Sequence, residues 1–333
     1  MTHNTQAQER WFVTGAAGFI GSNLCAFLIE RGAKVVGYDN FFSGKHENVE
    51  RLLNTYGEDF TFIEGDILDE ASLHSAISGC ERVAHLAAQV SVMRSIDLSE
   101  ETHDINTTGF LRVIEAAAKQ NASSLVYASS CAVYGENDAL PLSEDERPCP
   151  MSPYAASKLA NEAYASGMSV KAPELNVVGL RFFNIFGAWQ DAANGYAAVI
   201  PKWIDLLIEG KRPVMFGDGS ATRDFCHVEN VCNAIWKAVL AGEAANGKVF
   251  NVASGVPTRL DRLYELIVEA LVNAKLGSNY PEPEKQDWRV GEILHSYGSP
   301  KQAKEMMDFA VEVSLQEGLQ RMLSTQYCQN TNN

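Results

Sequence analysis

Short runs of β-branched and aromatic residues recur through the first half of the chain, at Trp11–Thr14, Lys34–Tyr38, Phe60–Ile63, Arg82–Leu86, Ser124–Ala128 and Asn176–Phe182. Between them, apolar residues return every three or four positions, which predicts helices near Ile20–Arg31, His46–Tyr56, Ala71–Ser78, Glu101–Gln120 and Tyr154–Met168. In the first of these, Ile20, Leu24, Phe27 and Leu28 share one face, the stripe a helix needs to lie on a sheet. Strands alternating with helices predict βαβ units with right-handed crossovers, hence an α/β fold built on a doubly wound parallel sheet.

The alternation breaks down after about residue 183. Gly187–Tyr196, Gly217–Thr222 and Pro281–Lys285 are rich in turn formers, and helical patterns return at Ile200–Glu209, Val228–Ala241, Asp261–Ala274 and Ser299–Met307. The expected organisation is a dinucleotide-binding domain over 1–183 and a smaller α/β substrate-binding domain over 184–333, with interleaved segments. The polar end, Ser324–Asn333, is expected to fray.

Composition narrows the function classes. The chain is 46% hydrophobic and 21% charged, enough to build a full core. No apolar run approaches the length of a membrane span, and the polar first ten residues lack a secretory h-region, so a cytoplasmic protein is expected. A formal net charge of −15 disfavours nucleic acid and anionic membrane as partners, since both are polyanions. Seven cysteines (Cys25, Cys80, Cys131, Cys149, Cys226, Cys232 and Cys328) include no C-x-x-C pair and read as reduced thiols. His85, His227 and His295 are not at metal-ligand spacing, so no metal is expected.

The segment from Trp11 to Gly21 reads strand, glycine turn, helix start, with Gly15, Gly18 and Gly21 in G-x-x-G-x-x-G spacing around Phe19 and Ile20. Such a loop lets a pyrophosphate approach the backbone at the positive end of a helix. The second strand leads into Asp39, which can accept the adenosine ribose hydroxyls and repel a 2′-phosphate. No basic residue follows in Asn40, Phe41 and Phe42, so NAD is favoured over NADP. Asp66 and Ile67 follow the third strand, where Asp66 can lie beside the adenine or cap a helix. Leu86, Ala87 and Ala88 end the fourth strand with small residues that leave room for a flat cofactor.

Tyr154 and Lys158 stand four apart on one helix face, and Ser129 and Ser130 end the strand before them. An unperturbed tyrosine, with a pKa of about 10, is a poor base at neutral pH. A lysine ammonium and an oxidised nicotinamide nearby would favour its phenolate.

The set T-G-A-A-G-F-I-G, Y-D-N, H-L-A-A-Q, S-S-C-A-V-Y-G, S-P-Y-A-A-S-K and R-F-F-N-I-F-G resembles the extended short-chain dehydrogenase/reductase family. The likeness continues through A-V-I-P-K-W at Ala198, G-D-G at Gly217, T-R-D-F at Thr222, R-V-G-E at Arg289 and H-S-Y at His295. It covers nearly the whole chain and points to members that modify nucleotide sugars. The resemblance implies a Rossmann domain, Tyr154 as base, Lys158 as its activator and nicotinamide-ribose contact, and Ser130 as an assisting hydroxyl. Family members that dehydrate or decarboxylate the sugar carry an acid where this chain has Ala132. The resemblance therefore implies NAD-dependent 4-epimerisation of a UDP-sugar through a transient 4-keto intermediate.

By the same resemblance Asn184, Arg223 and Arg289 contact the substrate pyrophosphate, and Ala198, Val199 and Trp203 lie near the uridine. Ser296 replaces a bulky aromatic of hexose-restricted members and so leaves room for a C2 acetamido group. Ser91, Arg94 and Gln190, in the runs Val90–Ser95 and Gln190-Asp191, resemble the branch acting on UDP-N-acetylglucosamine or its uronic acid. Val90 and Met93 depart from that branch and leave UDP-glucuronate and UDP-glucose open. The helices near Glu101–Gln120 and Tyr154–Met168 resemble the family's dimer interface, implying a homodimer, although their apolar stripes equally suit a plain core. A catalytically silent NAD-binding regulator is the competing class, and the joint presence of Ser130, Tyr154 and Lys158 argues against it.

Overall fold

The computed structural model describes residues 8–191, 199–288 and 293–327. In the first half, β1 (Arg10–Thr14), α1 (Phe19–Ile29), β2 (Lys34–Asp39), α2 (His46–Tyr56), β3 (Phe60–Glu64), α3 (Glu70–Ala76) and β4 (Arg82–His85) alternate in order. Three helical pieces follow, α4 (Val92–Asp97), α5 (Ser99–His103) and α6 (Gly109–Lys119), with a π-helical turn over Asp104–Thr108 joining the last two. Then come β5 (Ser124–Ser130), α7 (Pro153–Lys171) and β6 (Asn176–Phe182).

The second half carries β7 (Asn184–Phe186), α8 (Val199–Ile208), β8 (Val214–Phe216), β9 (Thr222–His227), α9 (Val228–Ala241) and β10 (Val249–Val252). It closes with β11 (Pro257–Arg259), α10 (Leu260–Asn273), β12 (Glu284–Gln286), β13 (His295–Ser296), α11 (Lys301–Met307) and α12 (Leu315–Gln326).

The main sheet has the order β10-β6-β5-β4-β1-β2-β3, and every neighbouring pair is parallel. This is a doubly wound Rossmann sheet extended by one strand. Helices cover both faces, so the central strands carry apolar runs that point to both sides, as at Trp11, Phe12 and Val13. Trp11 and Val13 face one core cluster with Leu24, Leu28 and Phe250; Phe12 faces another with Phe110, Val113 and Tyr127. A third cluster, around Phe186, Trp203, Ile204, Ile267 and Leu319, forms the core of the smaller α/β part. There β9 pairs with β7 and β13 in parallel and with β11 antiparallel, while β8 pairs with β12.

Several elements differ from the periodicity. The helix expected over Glu101–Gln120 is divided by the π turn. The fourth strand stops at His85, and beyond it the Thr14 hydroxyl oxygen accepts the N–H groups of Leu86 and Ala87, both at 3.2 Å. The helix containing Tyr154 is longer than expected at its start, where Ser152 Oγ accepts the Ala155 N–H and Pro153 fits the first turn. Of the end expected to fray, Ser324, Thr325 and Gln326 continue α12, and 328–333 lie outside the described residues. Strand β10, which the periodicity gives no sign of, returns to the main sheet beside β6.

A buried ion pair ties the sheet to α7. Arg181 on β6 donates to both Glu162 oxygens at 2.9 and 2.7 Å, and Ser129 Oγ donates to Glu162 Oε1 at 2.5 Å. Both charged side chains are under a tenth exposed, so removing one partner would strand the other's charge. Glu162→Gln is expected to cost about 3–5 kcal/mol of unfolding free energy in denaturant titration. A loss below about 1 kcal/mol would show the pair to be dispensable.

Candidate functional site

A cleft of 1320 Å³ runs along the carboxyl edge of the main sheet and continues against the smaller part. At its centre β1 and α1 are joined by the glycine loop. Gly15 has φ +72°, and a Cβ there would stand 2.7 Å from the Ala87 nitrogen. A Cβ on Gly21 would stand 2.0 Å from the Gly15 oxygen. Only glycine permits this approach of three backbone segments. The first turn of α1, entered through Gly18, Phe19 and Ile20, carries neither a side-chain cap nor an acidic residue. Its N–H groups thus face the cleft as an anion site that suits a dinucleotide pyrophosphate.

Asp39, at the end of β2, accepts the Ala17 N–H at 3.0 Å and the Phe41 N–H at 2.7 Å. Burial raises its pKa, and these two N–H groups oppose the rise. Asn40 donates to Asp66 Oδ2 at 3.0 Å, beside Ile67 in the lining of the cleft. Asp66 is not the helix cap: its other oxygen accepts the Leu68 N–H, and Asp69 caps α3. Leu86, Ala87 and Ala88 line the opposite side.

The reactive corner lies where β5 meets α7. Ser130 ends β5, and Tyr154 and Lys158 project from successive turns of α7 into the same cleft. Lys158 Nζ donates to the Ala128 carbonyl at 2.9 Å and stands 5.8 Å from the Tyr154 ring centre. Burial pushes the Tyr154 phenol up to about 12, while its hydrogen bond with Ser130 pulls the other way. Burial also lowers the Lys158 ammonium to about 8. The phenol is therefore neutral near pH 7, and a further positive charge in the cleft would favour its phenolate. Cys131, next to Ser130, has its thiol pushed up to about 12 by burial, which suits a filler rather than a nucleophile.

Several residues that sequence reasoning missed hold this corner. His85 Nδ1 shares a hydrogen with Thr14 Oγ1 at 2.8 Å, and burial followed by the Lys158 charge lowers the imidazole to about 3. Thr14 accepts two N–H groups already, so its hydroxyl donates to a neutral ring. Asn106, inside the π turn, bonds the Gln89 backbone at both its N–H (2.8 Å) and C=O (2.9 Å) and also reaches Ser157 Oγ. It thereby fixes the loop after β4 against α7. Glu162 follows Lys158 by one turn, so the i, i+4 spacing that exposed the tyrosine and lysine could have revealed it.

The second half supplies the other wall. Asn184, Gln190, Val199, Trp203 and Arg223 line the cleft with Ser91, which caps α4 by accepting the Arg94 N–H. Arg94 grips Glu101, which lines the cleft, through Nε at 2.7 Å and Nη2 at 3.0 Å. Ser296 sits beside Arg223 in the register of β13 and β9 but is not among the residues that line the cleft. Ala198 and Arg289 lie outside the described residues. Among the described residues no cluster of His, Cys, Asp and Glu could hold a metal, and no helix is long and apolar enough to cross a membrane.

Residues 11–253 match the model of the NAD dependent epimerase/dehydratase family. A UDP-glucose 4-epimerase from Mycolicibacterium smegmatis is 37% identical over 313 residues, covering 93% of this chain and 96% of its own. A solved structure described as the UDP-N-acetylglucosamine 4-epimerase from Methanobrevibacter ruminantium, in complex with UDP-N-acetylmuramic acid, is 35% identical. It superposes with a TM-score of 0.86 over 95% of this chain and 97% of its own. The NAD complex of UDP-glucose 4-epimerase from Thermus thermophilus is 30% identical with a TM-score of 0.80, covering 95% and 98%.

The carboxylate at position 39 gives a direct expectation. Asp39→Ala should reduce the preference for NAD over NADP by at least about tenfold in direct binding titrations, because a 2′-phosphate no longer meets a buried anion. An unchanged ratio would remove Asp39 from the adenosine site.

Proposed function

The chain belongs to the NAD-dependent epimerase/dehydratase family, and from that premise we propose that it interconverts the C4 epimers of a UDP-sugar. UDP-N-acetylglucosamine and UDP-N-acetylgalactosamine, or the corresponding uronic acids, are the substrates proposed. The observation that carries this reading is the convergence of Ser130, Tyr154 and Lys158 at one corner of the cofactor cleft, with Ala132 beside them in place of an acid.

Bound NAD supplies reversible acceptance of a hydride from the sugar C4. The remaining work falls to side chains. Tyr154 Oη takes the proton from the sugar O4 as the carbon is oxidised and returns it when the 4-keto sugar is reduced on its other face. Ser130, hydrogen-bonded to Tyr154, orients O4 and can relay that proton. Lys158 holds its ammonium near the phenol and so favours the phenolate. His85, kept neutral, adds no competing charge beneath Lys158. Without an acid at Ala132, elimination across C5 and C6 has no donor at that position.

Arg223 and Asn184, with Arg289, are proposed to grip the UDP pyrophosphate, since a guanidinium fork suits phosphate oxygens. Ala198, Val199 and Trp203 are proposed to flank the uridine. Ser296 does not line the cleft, so the N-acetylated substrate is favoured by the likeness to the Methanobrevibacter enzyme, named for UDP-N-acetylglucosamine, and not by that residue. The Mycolicibacterium relative favours a second reading, UDP-glucose as substrate. A homodimer is proposed through α5, α6 and α7, where Tyr164 and Val170 are exposed. Sedimentation at the monomer mass would reject it.

Three experiments test the reading. Purified protein incubated with UDP-N-acetylglucosamine, UDP-glucose and UDP-glucuronate separately should, by NMR, form the C4 epimer of the N-acetylated sugar at unchanged mass. Conversion of UDP-glucose alone would favour the second substrate, and conversion of none would reject the function. Tyr154→Phe should lower kcat by at least about 10²-fold while NAD remains bound. The unaltered enzyme should gain rate with pH up to about 8 and then level off, because Lys158 loses its charge there and ceases to favour further ionisation of the phenol. A rate that climbs steadily to about pH 10, the ordinary range of a tyrosine or lysine, would remove Lys158 from that role.

A further inference from the structure

The loop after β2 runs over the glycine loop and meets the smaller part of the protein across the cleft. The Lys45 N–H donates to the Ala17 carbonyl at 3.0 Å, and Asn48 Nδ2 donates to the same oxygen at 2.8 Å. These bonds hold the start of α2 directly against the pyrophosphate loop. From there, Lys45 Nζ reaches Asp191 Oδ1 at 2.8 Å, on the segment that follows β7. One turn into α2, the Arg51 guanidinium lies 3.6 Å from the ring centre of Trp189 on that same segment.

The segment carrying Trp189 and Asp191 is held in place from several sides. Trp189 has φ +69°, a conformation that a bulky side chain keeps only when its surroundings enforce it. Its N–H donates to Gln326 on α12 at 3.1 Å, and the Ala188 carbonyl accepts from Asn23 on α1 at 3.0 Å. Burial lowers the Arg51 guanidinium to about 10, so it is still charged at neutral pH and can stack on the indole as a cation. Behind these contacts lies a second cavity of 640 Å³ lined by Lys45, Arg51, Trp189, Asp191, Asp205 and Gln326. On the other flank of the same loop, Phe42 lies 5.1 Å from the Arg94 guanidinium, which Glu101 holds in place.

We infer that Lys45–Asp191 and Arg51–Trp189 form a clasp that closes the cleft over the cofactor and slows release of NAD between turnovers. Lys45, Trp189 and Asp191 all line the cleft that Asp39 and the glycine loop also line. An extended dinucleotide lying along that edge cannot lift out while residues 187–191 bridge to the start of α2. The Lys45 and Asp191 side chains are about two-fifths and one-third exposed, so water and salt reach the pair and the clasp opens reversibly. The inference rests on NAD occupying this cleft and not on which sugar is turned over.

The test loads the full-length protein with radiolabelled NAD, chases it with excess unlabelled NAD and reads label loss by filtration. Asp191→Ala is the decisive variant, since it removes no positive charge from the cofactor site. It should release NAD about three- to fivefold faster than the unaltered protein at low salt, the scale of one partly exposed ion pair. Lys45→Ala should do the same, and the double variant should add little to either. The charge-swapped pair Lys45→Asp with Asp191→Lys should restore slow release. Arg51→Leu should accelerate it independently. Raising the salt should speed release from the unaltered protein and leave Asp191→Ala nearly unchanged.

Equal release from Asp191→Ala and the unaltered protein would overturn the clasp. So would acceleration by Lys45→Ala alone, which would make Lys45 a direct phosphate contact. Epimer formation, assayed in the same samples, separates the two readings. Slow NAD release without any epimer rejects the proposed function and leaves the clasp standing. Normal epimer formation with unaltered release from Asp191→Ala does the reverse.

Discussion

The arrangement depends on one close approach of backbone to backbone. β1 and β4 are neighbours in the parallel sheet, yet the chain leaves them toward opposite flanks, so their carboxyl ends open a crevice. Gly15, Gly21 and the Leu86–Ala87 peptide meet there at distances that exclude any β-carbon. Thr14 fixes the third member of that contact by accepting two N–H groups after β4 and donating to a neutral His85. Once these segments are in contact, α1 must present its uncapped first turn to the crevice. The cofactor site therefore follows from packing at the centre of the sheet.

The reactive corner is built outward from the same edge. β5 lies next to β4 and brings Ser130 to the crevice, while α7 packs beside it with Tyr154 and Lys158 directed inward. Two buried polar networks hold α7 there. Glu162 joins it to Ser129 and Arg181, and Ser157 joins it through Asn106 to the loop after β4. A lysine as buried as Lys158 is costly to charge, and its lowered pKa records that cost. The same low-polarity setting would strengthen its influence on the phenol in the proposed reaction.

Much of this is legible in the sequence because parallel strands buried on both faces leave continuous apolar runs, as at Trp11, Phe12 and Val13. The glycine spacing, Asp39 and the Tyr154–Lys158 pair are legible because each is a local pattern within one turn or helix. The misses share a different cause. β10 is four residues long and owes its place to a distant partner, β6, which leaves no periodic trace. The π turn inside the long helix holds Asn106, whose bonds to Gln89 join separate elements and leave no local trace. No local pattern announces the two hydrogen bonds from Arg94 to Glu101 on the next helix either. Lys45 and Asp191 are silent for the same reason, since they lie far apart in the sequence.

The central claim is that the cleft oxidises and re-reduces one sugar carbon without exchanging the transferred hydrogen with solution. The measurement that tests it most directly uses UDP-N-acetylglucosamine carrying deuterium at C4, incubated with the protein and excess unlabelled free NADH. Deuterium retained at C4 of the product epimer is the predicted result, because the same hydrogen returns to the same carbon before release. Product carrying ordinary hydrogen at C4 would contradict the account, since the hydrogen would then have come from outside the site.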